Sequence, residues 1–361
     1  MRLVFYELKK LLIVEKGILI LILCPLCMFL LFFLFPEQKD IRIKASDKQF
    51  RLYLEQFYGE DTEEKQRLIR EEYTAVTECL GKFADMLTAY QKGELSEEEW
   101  MVYSREYERA DLKSNAIRIF METADRFSLI NAEKRPWYIY EYSGNTVFTL
   151  LGFPDIFLCF GLLFLASKCY TYEADHQILP LLLSMKKGGR ILFFTKLLAV
   201  LFTGTVTALV GVGLEYLAFY LRGFLHDLNV PIYSISFFSE AAASDLTLKN
   251  ALLFCFGMRL FGAVTLSIIV FLLSVCIRRG VMLFLFGAVW VLTFFMFGAI
   301  LGFSWGYLLE AGLNAPSRFL ILCEGDRSGF LSITLLIRAV IMAVLLCINA
   351  RKRINPAYFA K

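Results

Sequence analysis

The sequence predicts an all-α polytopic membrane protein with six transmembrane helices and an extracytoplasmic α-helical hairpin. Three observations predict it: an excess of apolar residues, six apolar runs of spanning length, and one polar segment with a helical repeat. The chain of 361 residues is 57% hydrophobic, 16% aromatic and only 20% charged, with a mean hydropathy of +0.56. A soluble domain averages nearer ~45–50% apolar. Charge is divided as unevenly. Residues 36–145 hold 17 basic and 23 acidic side chains, net −6, whereas the remainder holds 21 and 12, net +9. The overall +3 is thus a cancellation between two parts, and it does not mark a basic patch for nucleic acid. These numbers exclude a soluble enzyme, a disordered chain and a secreted disulfide scaffold.

Crossing ~30 Å of hydrocarbon takes about 20 apolar residues. Runs of that length lie at 17–35, 146–166, 191–220, 251–276, 281–303 and 329–349, the last interrupted by Arg338. Phe33-Leu34-Phe35-Pro36-Glu37 offers no small-residue cleavage site, so the first run reads as an uncleaved anchor. Orientation follows from basic residues in short flanks. Fifteen of them, Arg2 to Lys16, Lys168 to Lys196, Arg278 with Arg279, and Arg351 to Lys361, fall on one side of a six-span arrangement. The connections 222–249 and 304–328 carry four. Both termini are therefore expected in the cytoplasm of a cell, most simply a bacterial one, with 36–145 outside. The expected division is an interfacial helix at 1–16, the first span at 17–35, the hairpin domain at 36–145, spans two to six within 146–350 around a cytoplasmic loop at 167–190, and a basic tail at 351–361.

Within 36–145 the pattern changes. Ile69, Tyr73, Val76, Leu80, Phe83, Leu87 and Tyr90 alternate by four and three, a heptad seam on one helix face. Asp61-Thr62-Glu63-Glu64 opens this helix with capping-box spacing from Asp61 to Glu64, Gly93 stops it, and Ser96-Glu97-Glu98-Glu99 opens the next. The second arm shows Trp100, Tyr103, Tyr107, Ala110, Ile117, Met121, Ala124 and Phe127. Two arms of about 30 residues would each reach ~45 Å. A shorter helix at 47–58 should pack against their base. Trp137, Tyr138, Tyr140 and Tyr142, just before the second span, have the chemistry of a headgroup belt, as do Trp305 and Tyr307 after the fifth.

Soluble-enzyme motifs are missing. Two histidines, His176 and His226, cannot supply an H-E-x-x-H helix, and no G-x-x-x-x-G-K-[ST] loop is present, so ATP would have to be hydrolysed elsewhere. Cys24-Pro25-Leu26-Cys27 has metal-ligand spacing but lies within an apolar run and reads as structural filler. Ionisable residues inside the spans say more. Asp155, Arg259 and Arg338 each cost ~2.5–3.5 kcal/mol if left facing lipid, so they should face the bundle or one another. Asp155 is expected to pair with Arg259 or Arg338. Glu215, near the outer end of its span, needs less explanation.

The segment Tyr172-Glu173-Ala174-Asp175-His176-Gln177-Ile178-Leu179-Pro180-Leu181-Leu182-Leu183-Ser184-Met185-Lys186-Lys187-Gly188-Gly189-Arg190 has an acidic start, an apolar middle and a basic, glycine-hinged exit. Its leucines require a surface to cover them: the membrane interface, the bundle, or a docked partner. An acidic residue, Leu-Leu-Ser, Gly-Arg and then Lys196 in the next span resemble the cytoplasmic loop between the second and third helices of type-2 ABC exporter permeases. The six spans and the helix Leu3 to Leu12 before the first also resemble that family. The resemblance covers about 250 residues of the membrane part. His176-Gln177 departs from the Gly-Thr-like pair of many members, and the hairpin is an insertion the simplest members lack.

The resemblance implies a permease subunit that acts with a separate cytoplasmic ABC ATPase, which would bind ATP and Mg, and with a second copy or a paralogue. The loop would be the coupling helix, with Glu173 and Arg190 as polar anchors, Leu179, Leu182 and Leu183 as its apolar part, and Ser184 between them. The chain itself would be no enzyme and would hold no cofactor or metal. A different class fits the same composition: a membrane-anchored scaffold or sensor whose hairpin binds an external partner and which transports nothing. The apolar lining is compatible with a hydrophobic or amphipathic cargo.

Overall fold

The computed structural model describes residues 2–37, 41–130, 137–152, 155–178, 188–238, 246–277 and 279–300. The sixth predicted span with Arg338, the pair Trp305 and Tyr307, the basic tail, and the loop residues Leu179, Leu182, Leu183 and Ser184 lie outside the described residues. The described chain is mostly helical. Four of its helical segments are long and apolar enough to cross a membrane: Gly17–Leu34, Glu141–Cys169, Ile191–Leu221 and Leu248–Ser274. The chain divides into two compact units, one of residues 1–35, 147–225 and 249–361, the other of 36–146 and 226–248.

The first unit begins with α1 (Arg2–Lys9), a π-helical turn at Lys10–Val14, and α2 (Gly17–Leu34). Between them Lys16 adopts a left-handed conformation, φ 56°, which turns the chain into α2. Gly17 follows because a Cβ there would lie 2.5 Å from the Leu11 carbonyl oxygen. Later in the chain come α8 (Ile156–Asp175), α9 (Gly188–Leu221), α10 (Leu248–Cys276) and α11 (Gly280–Ile300). Their shared core includes Met28, Leu158, Leu162, Phe193, Val200, Ala263 and Phe271. Small residues let the helices approach, as expected where lipid offers no hydrophobic drive between helices. Gly204 meets Ser267 in this way, with a virtual Cβ 2.5 Å from the serine oxygen. The outer faces remain apolar: Ile18, Ile22, Leu23 and Leu26 on α2, and Phe194, Leu198 and Phe202 on α9, are exposed.

The second unit holds α3 (Ile41–Phe57), a two-residue strand β1 (Gly59–Glu60), α4 (Glu63–Gly81), α5 (Phe83–Gln91), α6 (Glu97–Ile130), β2 (Trp137–Tyr138) and the start of α7 (Glu141–Leu151). β1 and β2 pair antiparallel, Gly59 opposite Tyr138. The first arm of the hairpin is two helices, since the chain breaks at Lys82. Contacts between the arms run in opposite directions. Tyr90 stacks on Trp100 at 4.9 Å, the Tyr103 hydroxyl donates to the Cys79 carbonyl at 3.3 Å, and Lys113 reaches Glu72 at 3.5 Å. Ile69 and Val76 of the heptad seam are buried.

Caps explain where the arms begin. Ser96 and Glu99 form the reciprocal box: the Ser96 amide donates to the Glu99 carboxylate at 2.9 Å, and the Glu99 amide donates to the Ser96 oxygen at 3.3 Å. The Ser96 amide first, and second the Ser96 hydroxyl, which donates to the same carboxylate at 2.8 Å, hold the Glu99 carboxyl below its ordinary value. At α4 the cap is Thr62, which accepts from the Lys65 amide at 3.3 Å, and not Asp61. Asp61 instead accepts from Gln66 at 2.5 Å, one turn further on.

A second expectation is also corrected. Tyr138, Tyr140 and Tyr142 do not form a headgroup belt. Tyr138 and Tyr142 are buried in the core of this unit with Phe50, Phe57, Ile69, Ile117 and Phe120, and Tyr140 packs on it. Phe50 lies 5.3 Å from Phe120 and 5.9 Å from Tyr142, edge-on to the latter. The helix at the base, α3, supplies the aromatic partners that make burial more favourable than an interfacial position. Residues 226–248 join this unit through specific polar contacts. The Trp137 amide donates to Ser234 at 3.0 Å, Asn145 donates to Ser236 at 2.6 Å, and Tyr58 donates to Asp227.

Candidate functional site

The site of interest lies where the loop between α8 and α9 leaves and re-enters the helical bundle. The chain enters the loop at the end of α8, where the Ile178 amide donates to the Glu173 carbonyl at 2.9 Å and Gln177 takes a left-handed conformation. It returns at Gly188, the first residue of α9. Glu173 and Lys196 stand on these two roots, and between them sit two residues from the beginning of the chain, Glu7 on α1 and Lys10 in the π-helical turn.

These four side chains form a ring of alternating charge. Lys10 contacts Glu7 at 2.8 Å and also contacts Glu173. Lys196 contacts Glu173 at 2.5 Å and Glu7 at 3.0 Å, and it donates to the Cys169 carbonyl at 2.7 Å. Each ammonium touches both carboxylates. Lys10 also lies 5.3 Å from the centre of the Tyr172 ring. All four residues are buried, Lys196 completely. Two positive and two negative charges cancel, which is the condition for holding charges out of water. Burial disfavours the charge on Lys10, but Glu173 and Glu7 outweigh it and push the ammonium above its ordinary value. Burial likewise opposes ionisation of Glu7, and Lys196 with Lys10 more than compensates, holding its carboxyl below the ordinary value. A further tie, Lys168 to Glu15 at 3.3 Å, fixes the same N-terminal segment to α8.

Glu173, expected at the acidic start of the loop segment, belongs to the last turn of α8, is buried, and contacts both lysines through Oε1. Arg190 lies in the first turn of α9. Glu7 and Lys10 are not singled out by sequence reasoning. Their only local signal is a spacing of three on a helix, which many exposed pairs share.

A second buried polar cluster lies among the spans. Arg259 on α10 and Glu215 on α9 are fully buried and ion-paired. Asp155 interacts electrostatically with Arg259, and Arg259 is also ion-paired with Glu215, the residue that needed less explanation in the sequence. Asp155 is not in mid-helix; it precedes α8 and caps it, its Oδ1 accepting from the Leu158 amide at 2.9 Å. The ring of Phe32 lies 5.6 Å from the Arg259 guanidinium.

Among the described residues no group of three or more His, Cys, Asp or Glu side chains is placed to hold a metal. Cys24 of the Cys-Pro-Leu-Cys motif packs toward Gly161, where a virtual Cβ would be 2.8 Å from its sulfur. The ring joins three chain segments rigidly, and the inter-span cluster sets charge inside an apolar bundle. No protein-family model matches the chain, and no curated protein or solved structure matches it.

Proposed function

We propose that this chain is the membrane-spanning permease subunit of an ABC-type exporter, moving its substrate with ATP hydrolysed by a separate cytoplasmic ATPase. The observation that carries this reading is the charged ring. It ties the N-terminal segment to both roots of the loop at 176–187, so that a push on the loop is passed to α1, α8 and α9 together. A loop whose only task was to join two spans would not need both its ends locked to a third segment by four buried charges. In this reading Leu179, Leu182, Leu183, Ser184 and Arg190 meet the ATPase, and Glu173 acts from inside, holding the root of the lever.

The topology proposed with it has six spans, both termini in the cytoplasm, and the hairpin outside. Its support is the bias of basic flanks, together with the membership of the second compact unit: 36–146 and 226–248 fold together. A six-span path puts both of those connections on one side of the membrane. Exposed Leu3, Phe5 and Tyr6 on α1 suit a helix that lies in the lipid interface beside the loop. Rocking of the spans about the ring would alternate access to the path, with a second copy or a paralogue completing it.

One observation favours the other class of function, a membrane-anchored sensor or scaffold. The hairpin unit has its own aromatic core and could bind an external partner unaided. Co-purification separates the two. The permease reading expects a Walker-motif ATPase encoded beside this gene to be recovered with the chain and lost when Leu182 and Leu183 become Asp. Recovery that is indifferent to those substitutions removes the loop from the contact, and no recovery at all favours the sensor.

A further inference from the structure

Among the described residues the buried cluster of Asp155, Glu215 and Arg259 does not balance its charge. Asp155 and Glu215 are two carboxyls against one guanidinium, that of Arg259, and all three residues are at least nine-tenths buried. Each carboxyl also has one oxygen left over: Oδ2 of Asp155 and Oε2 of Glu215 are buried without a hydrogen-bond partner. Among the described residues the titratable neighbours on the packed helices are Cys24 on α2, Cys159 on α8, Tyr216 on α9 and Cys255 on α10, and none of these carries positive charge. Nor is the Tyr216 hydroxyl turned to Glu215, since it donates to the Leu252 carbonyl at 2.6 Å. Arg259 can only donate, so any further partner it has is an acceptor and cannot supply the missing charge.

We infer that Asp155, Glu215 and Arg259 form a proton-binding site inside the bundle, holding one proton between the two carboxyls at neutral pH. A proton is the one cation that needs no cavity. It would convert an orphaned acceptor into a donor and leave the cluster neutral, which is what a group surrounded by apolar spans requires. The proton belongs to the pair of carboxyls as a unit. This inference does not depend on the transport reading.

Infrared difference spectroscopy of the full-length chain in lipid nanodiscs tests it. At neutral pH the wild type is expected to show the carbonyl stretch of a protonated carboxyl, lost in both Asp155→Asn and Glu215→Gln. No such band, or a band that survives both substitutions, overturns the site. Should those variants fail to fold, Glu215→Asp keeps a carboxyl, and the band should then respond to carbon-13 labelling of aspartate alone. A band that moves with neither aspartate nor glutamate labelling of the wild type also overturns it. If Arg338 supplied the missing positive charge, the band would be absent from the wild type and gained in Arg338→Leu, which again contradicts the proposal.

Discussion

Lys196 and Glu173, 23 positions apart on opposite roots of the loop between α8 and α9, meet at 2.5 Å with both side chains buried. The loop is thereby closed at its base. Replacing Lys196 by Met strands Glu173 and Glu7 with Lys10 as their remaining lysine, and the loss of one partner from a buried pair costs about 3–5 kcal/mol. Thermal unfolding in detergent should show Lys196→Met well below wild type. The double variant Lys196→Met/Glu173→Gln should recover part of the loss, because no unpaired charge stays behind.

The ring also sets a pH window. Glu7 is held below its ordinary value of 4.5, so its contribution is fully present above that pH and is lost as pH falls through the folded value. Lys10 is pushed above 10.5, so its contribution is fully present below that pH and is lost as pH rises past it. The ring should therefore be stable on a plateau between these limits, with a decline on both sides. Glu7→Gln/Lys10→Met should have a lower plateau with weaker edges when the thermal midpoint is followed against pH.

Two glycines on the spans should respond oppositely to alanine. At Gly17 the new Cβ would meet the Leu11 carbonyl at 2.5 Å, and backbone cannot yield as a side chain can. Overpacking of this kind costs about 1–3 kcal/mol. At Gly213 nothing lies within 4 Å, so alanine should gain up to about 1 kcal/mol from helix propensity. Paired melting curves decide it, and an equal response at both positions would contradict the close approach of the π-helical turn to α2.

In the hairpin unit, Phe120 contacts Phe50, Tyr53, Phe57 and Tyr138. Phe120→Ala should cost about 3–5 kcal/mol. Near-ultraviolet circular dichroism should lose its aromatic signal at a lower temperature than in wild type. Leu112→Ala, at an exposed position on α6, should leave that transition almost unchanged.

What can be read in the sequence is whatever repeats locally. Apolar length marks the four described helices long enough to cross a membrane, the four-three alternation from Ile69 marks the first arm, and Ser96 with Glu99 marks the start of the second. The charged ring cannot be read this way, since Glu7 and Lys196 are 189 positions apart and no periodicity encodes that meeting. Glu215 sits near a helix end, where sequence alone gives little reason to single it out, although the helix that carries Arg259 comes back alongside it. Tyr138 and Tyr142 have a chemistry that suits either a headgroup layer or a protein core, and only the presence of Phe50 and Phe120 decides between them. Thr62 displaces Asp61 as a cap by a single residue, a difference of register that capping-box spacing alone does not resolve.

The most direct test of the permease reading is a photoreactive amino acid at position 182, activated in membranes that contain the chain and its Walker-motif ATPase. The account predicts a covalent adduct with the ATPase, diminished by Lys196→Met, which frees the root of the loop. An adduct with lipid alone, with the ATPase present and the chain folded, would contradict it.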